Sequence, residues 1–390
     1  MTTTASISSQ TYQSRQQRAA QLLAQTNIAD ALIVTPGATM RYFLGDEADT
    51  HERLSALIIP QSSDEQRPVH CQLITPAVDA GTLAALPGTA DINIIGYTDD
   101  DHPHATVISL VQGEGHDPHH MRLAVDGHMP ASHLLTLQNI LGNRPQCIVA
   151  ATPIVSQLTM LKDPAEITHL QTVGAAIDEV HALVPQLLQP GRTEAEVAAA
   201  LHTEILNHGH TAVDFVIVGS GPNGANPHHE HSNRTLQTGE MVVVDIGGAD
   251  SEGYRSDCTR TYIVGGADAA RIDPEMDTMY EVLVSAQAAA RQAAVPGARA
   301  KDVDDAARRV ISDAGYGQFF VHRTGHGIGL STHEEPFITS TNELVLEPGM
   351  AFSIEPGIYL PGRFGARIED IVIISDDGHI VCNNQPRMLR

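Results

Sequence analysis

Five residues between positions 245 and 369 have the types and surroundings of metal ligands: Asp245, Asp257, His326, Glu355 and Glu369. Asp245 closes the apolar run Met241-Val-Val-Val-Asp-Ile246, and Asp257 lies in Gly253-Tyr-Arg-Ser-Asp-Cys-Thr-Arg-Thr261. His326 is bracketed by glycines in Thr324-Gly-His-Gly-Ile-Gly329. Glu355 interrupts Ala351-Phe-Ser-Ile-Glu-Pro-Gly357, and Glu369 leads into Asp370-Ile-Val-Ile-Ile374. A carboxylate within an apolar strand is costly unless it is paired or binds a cation. Asp245, Glu355 and Glu369, read as strand positions, therefore call for positive charge, yet the chain has 23 Lys+Arg against 47 Asp+Glu. Four carboxylates balance two divalent cations, and a neutral imidazole completes the set. Oxygen donors with one histidine suit Mn, Co, Fe or Zn, with Mn favoured by the carboxylate count. Two such ions roughly 3.5–4 Å apart form a clamp that activates water for hydrolysis.

The elements that must position these residues follow from periodicity. Residues 1–10 read as a frayed polar arm. From residue 12 to about 155, helical runs (15–25, 77–85, 105–111, 131–141) alternate with short apolar strands (31–34, 54–59, 71–74, 92–95, 121–125), with a helical turn over 40–44. That alternation predicts an α/β domain with a mostly parallel sheet. No phosphate-cradling glycine motif stands in it. The acidic stretch Asp99–His102 and the His-rich stretch 116–120 could bind a metal but read as solvated loops. Residues 153–163 read as the crossing between domains, giving expected domains of 1–157 and 158–390. A long helix over 164–188 follows, with apolar residues three or four apart. Thr193-Glu-Ala-Glu196 is a capping box that opens a second helix. Strands are expected over 215–218, 241–246 and 259–264, helices over 274–294 and 301–314, and strands over 351–359 and 367–374. Asp376-Asp-Gly378 reads as a hairpin turn. Two helices followed by strands thus occur twice, and periodicity alone assigns this half to the α+β class.

A formal net charge of −24 argues against nucleic acid and anionic membranes as partners. Four scattered cysteines with no Cys-x-x-Cys pair suggest a reducing, cytoplasmic compartment. The N-terminus has no basic-then-apolar signal pattern, and no apolar run reaches the length needed to span a bilayer.

The order and contexts of the five ligands resemble those of the pita-bread metallopeptidases: methionine aminopeptidase, aminopeptidase P and prolidase. The separations of 29 residues from His326 to Glu355 and 14 from Glu355 to Glu369 resemble the proline-peptidase branch. Asp245 and Asp257 are 12 apart, one more than the family pattern, which an extra residue in the 247–253 turn would absorb. The resemblance covers residues 161 to about 387 strongly and the first 155 weakly. It implies a curved antiparallel sheet with helices on its outer face, preceded by an α/β lid domain of the creatinase type. Methionine aminopeptidase lacks such a domain, and creatinase lacks the metal carboxylates. A non-catalytic pita-bread binding module is the rival from another class, and the intact ligand set speaks against it.

The resemblance also implies roles. Asp245 would chelate one metal, His326 and Glu355 the other, and Asp257 and Glu369 would bridge both. A hydroxide between the metals would be the nucleophile, with Glu355 as proton shuttle. His228, 17 residues before Asp245, and His333, 7 after His326, would contact substrate and stabilise the tetrahedral intermediate. His322 is a further substrate-contact candidate, whereas His229 and His231 read as bystanders. Arg367 would orient Asp245 as a catalytic support. Tyr359 and Tyr254 lie in family motifs and read as packing.

The expected activity is Xaa-Pro dipeptidase, with aminopeptidase P on longer peptides as the alternative. The expected partners are two divalent ions per subunit, Mn2+ with Co2+ or Zn2+ as substitutes, a small peptide with proline second, and a second copy of the chain in a homodimer. A dipeptidase needs a cation for the free carboxylate. Many prolidases carry an arginine shortly after His-x-x-Pro, where this chain has Phe337. Arg323 and Arg363 are local substitutes. Arg53, in the loop after Arg41-Tyr-Phe-Leu-Gly45, is a third candidate that would reach a neighbouring subunit, its plainer reading being a loop ion pair.

Overall fold

The computed structural model describes residues 6–64, 66–113 and 119–390, which divide into two compact units between Thr159 and Met160. In the first unit, Ser8 Oγ accepts the Thr11 N–H and starts α1 (Ser9–Thr26), so the helix begins inside the stretch expected to fray. Then come β1 (Ala31–Val34), α2 (Ala38–Leu44), β2 (Ala56–Pro60), β3 (Gln72–Pro76), α3 (Ala80–Leu83), β4 (Asn93–Tyr97), α4 (Pro103–Gly113), β5 (Leu123–Val125), α5 (Ala131–Ile140), β6 (Ile148–Ala150) and α6 (Thr152–Thr159). The strands form a six-stranded sheet in the order β4-β3-β2-β1-β5-β6. β2 runs antiparallel to both of its neighbours, and the other pairs are parallel. The sheet is therefore mixed. The start of the expected domain crossing is instead helix α6, which packs on α1 with Ile154 and Leu158 buried. Pro153 stands in its first turn, where a missing N–H costs nothing.

The second unit opens with α7 (Pro164–Leu187), capped by a reciprocal Asp163–Glu166 box, and α8 (Glu194–Asn207), capped by Thr193 and Glu196. β7 (Ala212–Ser220), β8 (Met241–Ala249) and β9 (Arg255–Ile263) form an antiparallel sheet. α9 (Glu275–Ala293) and α10 (Ala300–Asp313) follow. Next come β10 (Gly325–Gly327), β11 (Glu334–Ile338), β12 (Ala351–Ile354), β13 (Gly357–Leu360), β14 (Phe364–Arg367), β15 (Asp370–Ser375) and β16 (Gly378–Val381). They pair as a β11-β10-β12-β15-β16 sheet and a β13-β14 hairpin. Each helix pair buries an apolar stripe on its own sheet. Val180, Val184, Val197 and Leu201 meet Val242 and Val244 on one side, and Met279, Leu283, Val303 and Ala307 meet Phe352 and Val372 on the other. The duplication extends to single hydrogen bonds. Gly191 N–H donates to Leu236 O and Leu236 N–H to Arg192 O, while Gly297 N–H donates to Leu346 O and Leu346 N–H to Ala298 O. None of the described helices is long and apolar enough to cross a membrane.

Both strands expected near the C-terminus are broken in two, and the breaks fall on two of the candidate ligands. Glu355 lies between β12 and β13, ahead of Pro356, and Glu369 lies between β14 and β15. These two carboxylates are not interior strand residues; each lies in a two-residue break between consecutive strands.

Candidate active site

Asp245 and Asp257 come from adjacent antiparallel strands. Asp245 stands opposite Thr259 and Gly247 opposite Asp257, so the two carboxylates project from the same face of the β8–β9 ladder. His326 is the centre of β10, and its glycine brackets have a steric cause. A Cβ at Gly325 would lie 1.8 Å from Ser353 O, and one at Gly327 would lie 2.2 Å from Glu335 O, so only glycine lets β12 and β11 approach this closely. The His326 N–H donates to Ser353 Oγ at 3.0 Å, and the same hydroxyl donates to Glu355 Oε1 at 3.2 Å. His326 Nδ1 donates to Gly327 O, which leaves Nε2 as a lone-pair donor for a cation. That Nε2 lies 3.3 Å from Glu355 Oε1 and 3.6 Å from Asp257 Oδ2. Ligand atoms of Asp257, His326 and Glu369 all lie within 4.8 Å of one another.

Around these donors the chain builds a supporting layer. Arg367, buried at the end of β14, spends its whole guanidinium here. Nη2 donates to Asp245 Oδ2 at 2.7 Å, Nε to Thr259 Oγ1 at 3.0 Å, and Nη1 to Tyr359 OH at 2.8 Å and Pro227 O at 3.2 Å. Thr259 Oγ1 in turn donates to Glu369 Oε2 at 2.8 Å. Tyr359 OH donates to His322 Nε2 at 2.9 Å, and His322 Nδ1 donates to Arg323 O at 2.7 Å. Both ring nitrogens of His322 are thus engaged within the protein. Burial pushes the His322 ring down to about 4 and the His326 ring down to about 3, so both are neutral at neutral pH. Tyr359, read from sequence as packing, is the link between Arg367 and His322.

The donor set fits divalent cations on this structure's own terms. Asp245 Oδ1 is buried and has no hydrogen-bond partner among the described residues. Burial, then the neighbouring carboxylates, push Asp257 and Glu369 well above the usual carboxylate range, and burial pushes Glu355 up to about 7. Four carboxylates in this space repel one another strongly unless cations neutralise them. The five donors wall a cavity of about 600 Å3, a size suited to a small ligand. Phe215, Ile217, Pro227, His228, His322, Arg323, Thr332, His333 and Arg367 complete its wall. His228 and His333 are exposed there, and the His333 ring meets the His326 ring edge-on at 4.2 Å.

His228 rides on a loop fixed by a residue that sequence reasoning missed. Glu194, the first residue of α8, is fully buried and accepts from Ser220 N and Oγ, Asn223 Nδ2, Ser232 N and Oγ, and His229 Nε2. Burial alone would raise its carboxyl, but the hydroxyl and imidazole donors hold it below the usual range. His229 is therefore a tie for this loop rather than a bystander. Its only local signal was a carboxylate just inside a helix start, which reads equally well as a dipole partner. His231 lies on the same loop, with Nδ1 3.3 Å from Val216 O. Tyr254 stacks on His169.

The remaining candidates lie elsewhere. Arg53 pairs with Asp99 in a partly exposed contact at 3.3 Å. Arg363 is held by Asp273 and by Glu275, at 2.5 and 2.7 Å. His102 carries no further ligand cluster among the described residues, and residues 114–118 of the His-rich stretch lie outside them.

Residues 168–376 match Metallopeptidase family M24, and residues 15–160 match the Creatinase/Prolidase N-terminal domain. The chain is 47% identical over 375 residues to a probable dipeptidase PepE of Mycobacterium tuberculosis, covering 94% of each protein. It is 35% identical over 362 residues to an Xaa-Pro dipeptidase of Lactobacillus helveticus, covering 92% of this chain and 93% of that one. The crystal structure of dipeptidase PepE from Mycobacterium ulcerans superposes with a TM-score of 0.90 at 46% identity, over 99% of both chains.

Proposed function

This chain belongs to metallopeptidase family M24, and from that premise we propose that it hydrolyses Xaa-Pro dipeptides with two divalent cations held by Asp245, Asp257, His326, Glu355 and Glu369. The observation that carries this reading is the convergence of all five donors on one dipeptide-sized cavity. The name of the Lactobacillus helveticus relative supports proline as the second residue.

Cations held by these five residues would supply positive charge to polarise the scissile carbonyl and to lower the pKa of a bound water towards neutrality. The protein's own groups do the rest. Glu355, at the edge of the cluster and steadied by Ser353, accepts a proton from the attacking water and returns it to the departing proline nitrogen. His333 and His228, exposed on the cavity wall, donate to the carbonyl oxygen as it gains charge. Arg367 holds Asp245 in one orientation. Phe215 and Ile217 offer the apolar surface that a substrate side chain or a proline ring needs, and a tertiary amide asks for no acceptor opposite its nitrogen.

Manganese is the metal this oxygen-rich set favours. The unit ending at Thr159 serves as lid and dimerisation domain of a homodimer. Four buried free cysteines accord with a reducing cytoplasmic compartment. Turnover of Ala-Pro and Ala-Pro-Ala by Mn-loaded and chelated protein tests the reading. Metal-dependent cleavage of the dipeptide alone is expected. Preference for the tripeptide would make it an aminopeptidase, and two bound metals with no turnover of either would overturn the proposal.

A further inference from the structure

Arg323 lines the same cavity, half-buried, three residues before His326. Among the described residues its guanidinium makes no hydrogen bond and no ion pair. It lies over the ring of Phe337, with Cζ 4.5 Å from the centroid. This is unusual in a chain with 47 acidic and 23 basic residues. The other arginine of the cavity wall, Arg367, has all three guanidinium nitrogens engaged. Arg363 and Arg53 are each held by carboxylates of the chain.

An aromatic face attracts a cation without offering it a hydrogen-bond acceptor. Phe337 therefore fixes the guanidinium in place and leaves its planar donor fork available, which a carboxylate neighbour would not do. Arg323 shares the cavity wall with His326, His333 and Glu355, so its charge stands beside the reacting region. A guanidinium fork matches a free carboxylate in two parallel hydrogen bonds.

We propose that Arg323, steadied by Phe337, binds the free C-terminal carboxylate of the substrate and thereby restricts the enzyme to dipeptides. The proposal rests on the Xaa-Pro dipeptidase reading. It explains how a small substrate is ranked against longer peptides, in which the same position holds a neutral amide.

The test is the ratio of kcat/KM for Ala-Pro to that for Ala-Pro amide, in the Mn-loaded full-length protein. The wild type is expected to favour the free acid by about 100-fold, the scale of one desolvated charge pair. Arg323→Met should bring the ratio close to unity, with the loss mainly in KM, and Arg323→Lys should restore about a tenth of it. Phe337→Leu, which keeps the cation but removes its support, should reduce the ratio several-fold. A wild-type ratio near unity, or a ratio unchanged in Arg323→Met, overturns the assignment. If the Met variant does not fold, unchanged ratios in both Arg323→Lys and Phe337→Leu overturn it. Failure of the wild type on both substrates overturns the Xaa-Pro reading itself, whereas efficient turnover of the amide alone overturns only the role of Arg323.

Discussion

Arg367 Nη2 and Asp245 Oδ2 lie 2.7 Å apart, while Oδ1 of the same carboxylate is buried without a hydrogen-bond partner among the described residues. One oxygen is thus committed to orientation, and in the proposed site the other is the one that would hold a cation. Arg367→Lys cannot reproduce the fork that joins Asp245, Thr259 and Tyr359, so metal affinity should fall about 10–100-fold. Calorimetric Mn titration of the wild type and the variant measures it. Equal affinities would remove Arg367 from the metal site.

Glu194 makes a second prediction. Glu194→Gln keeps the shape but exchanges an acceptor-only group for one that must also donate, against six donor atoms from four residues already aimed at it. A stability loss of about 2 kcal/mol is expected. Faster amide exchange should be confined to residues 220–232, and kcat/KM should fall because His228 loses its fixed loop. Unchanged exchange in that loop would contradict the role.

Buried histidines set the acid limit of the fold. His181, in α7, donates from Nε2 to Cys258 O and faces Tyr262 OH with Nδ1, and burial pushes its ring down to about 3. An unfolded histidine titrates near about 6.5. Between those values the unfolded chain takes up a proton that the folded chain refuses. The stabilisation is therefore complete above pH 6.5 and is lost as pH falls towards 3, at up to about 1.4 kcal/mol per pH unit. His210, pushed down to about 4 by burial, acts in the same direction. Urea unfolding of the chelated protein from pH 7 to pH 4 should show a steep loss that is shallower in His181→Gln. Parallel curves would contradict it.

The metal itself should add stability, because it binds the folded cluster and not the dispersed ligands. At 100-fold excess over Kd this amounts to about 2.7 kcal/mol per site. Mn should raise the Tm of the wild type and have little effect on Asp257→Asn, and equal rises in both would exclude Asp257 as a ligand.

The five metal-type residues were legible because each disturbs its own local pattern: an aspartate after three valines, a histidine between glycines, glutamates beside apolar runs. The duplicated helix pairs were legible from capping and periodicity. What escaped notice depends on contacts far along the chain. Glu194 looked like helix-start chemistry, yet its partners lie up to 38 residues away. Tyr359 and His229 carry no local sign of the networks they join. β10 (Gly-His-Gly) and β11 (Glu-Glu-Pro-Phe-Ile) were invisible because neither has an apolar alternation to read, and β11 carries a proline inside it. The strand breaks at Glu355 and Glu369 were hidden by apolar runs that continue on both sides. Phe337 drew notice only for lacking a charge, and its contact with Arg323 is a product of folding.

The most direct measurement is Ala-Pro hydrolysis by chelated protein as Mn is returned in measured equivalents. The account predicts no turnover without metal and a rise that saturates at about two ions per chain, the number that four carboxylates balance. Full activity in the metal-free protein, or saturation with two ions and no cleavage of Ala-Pro, would contradict it.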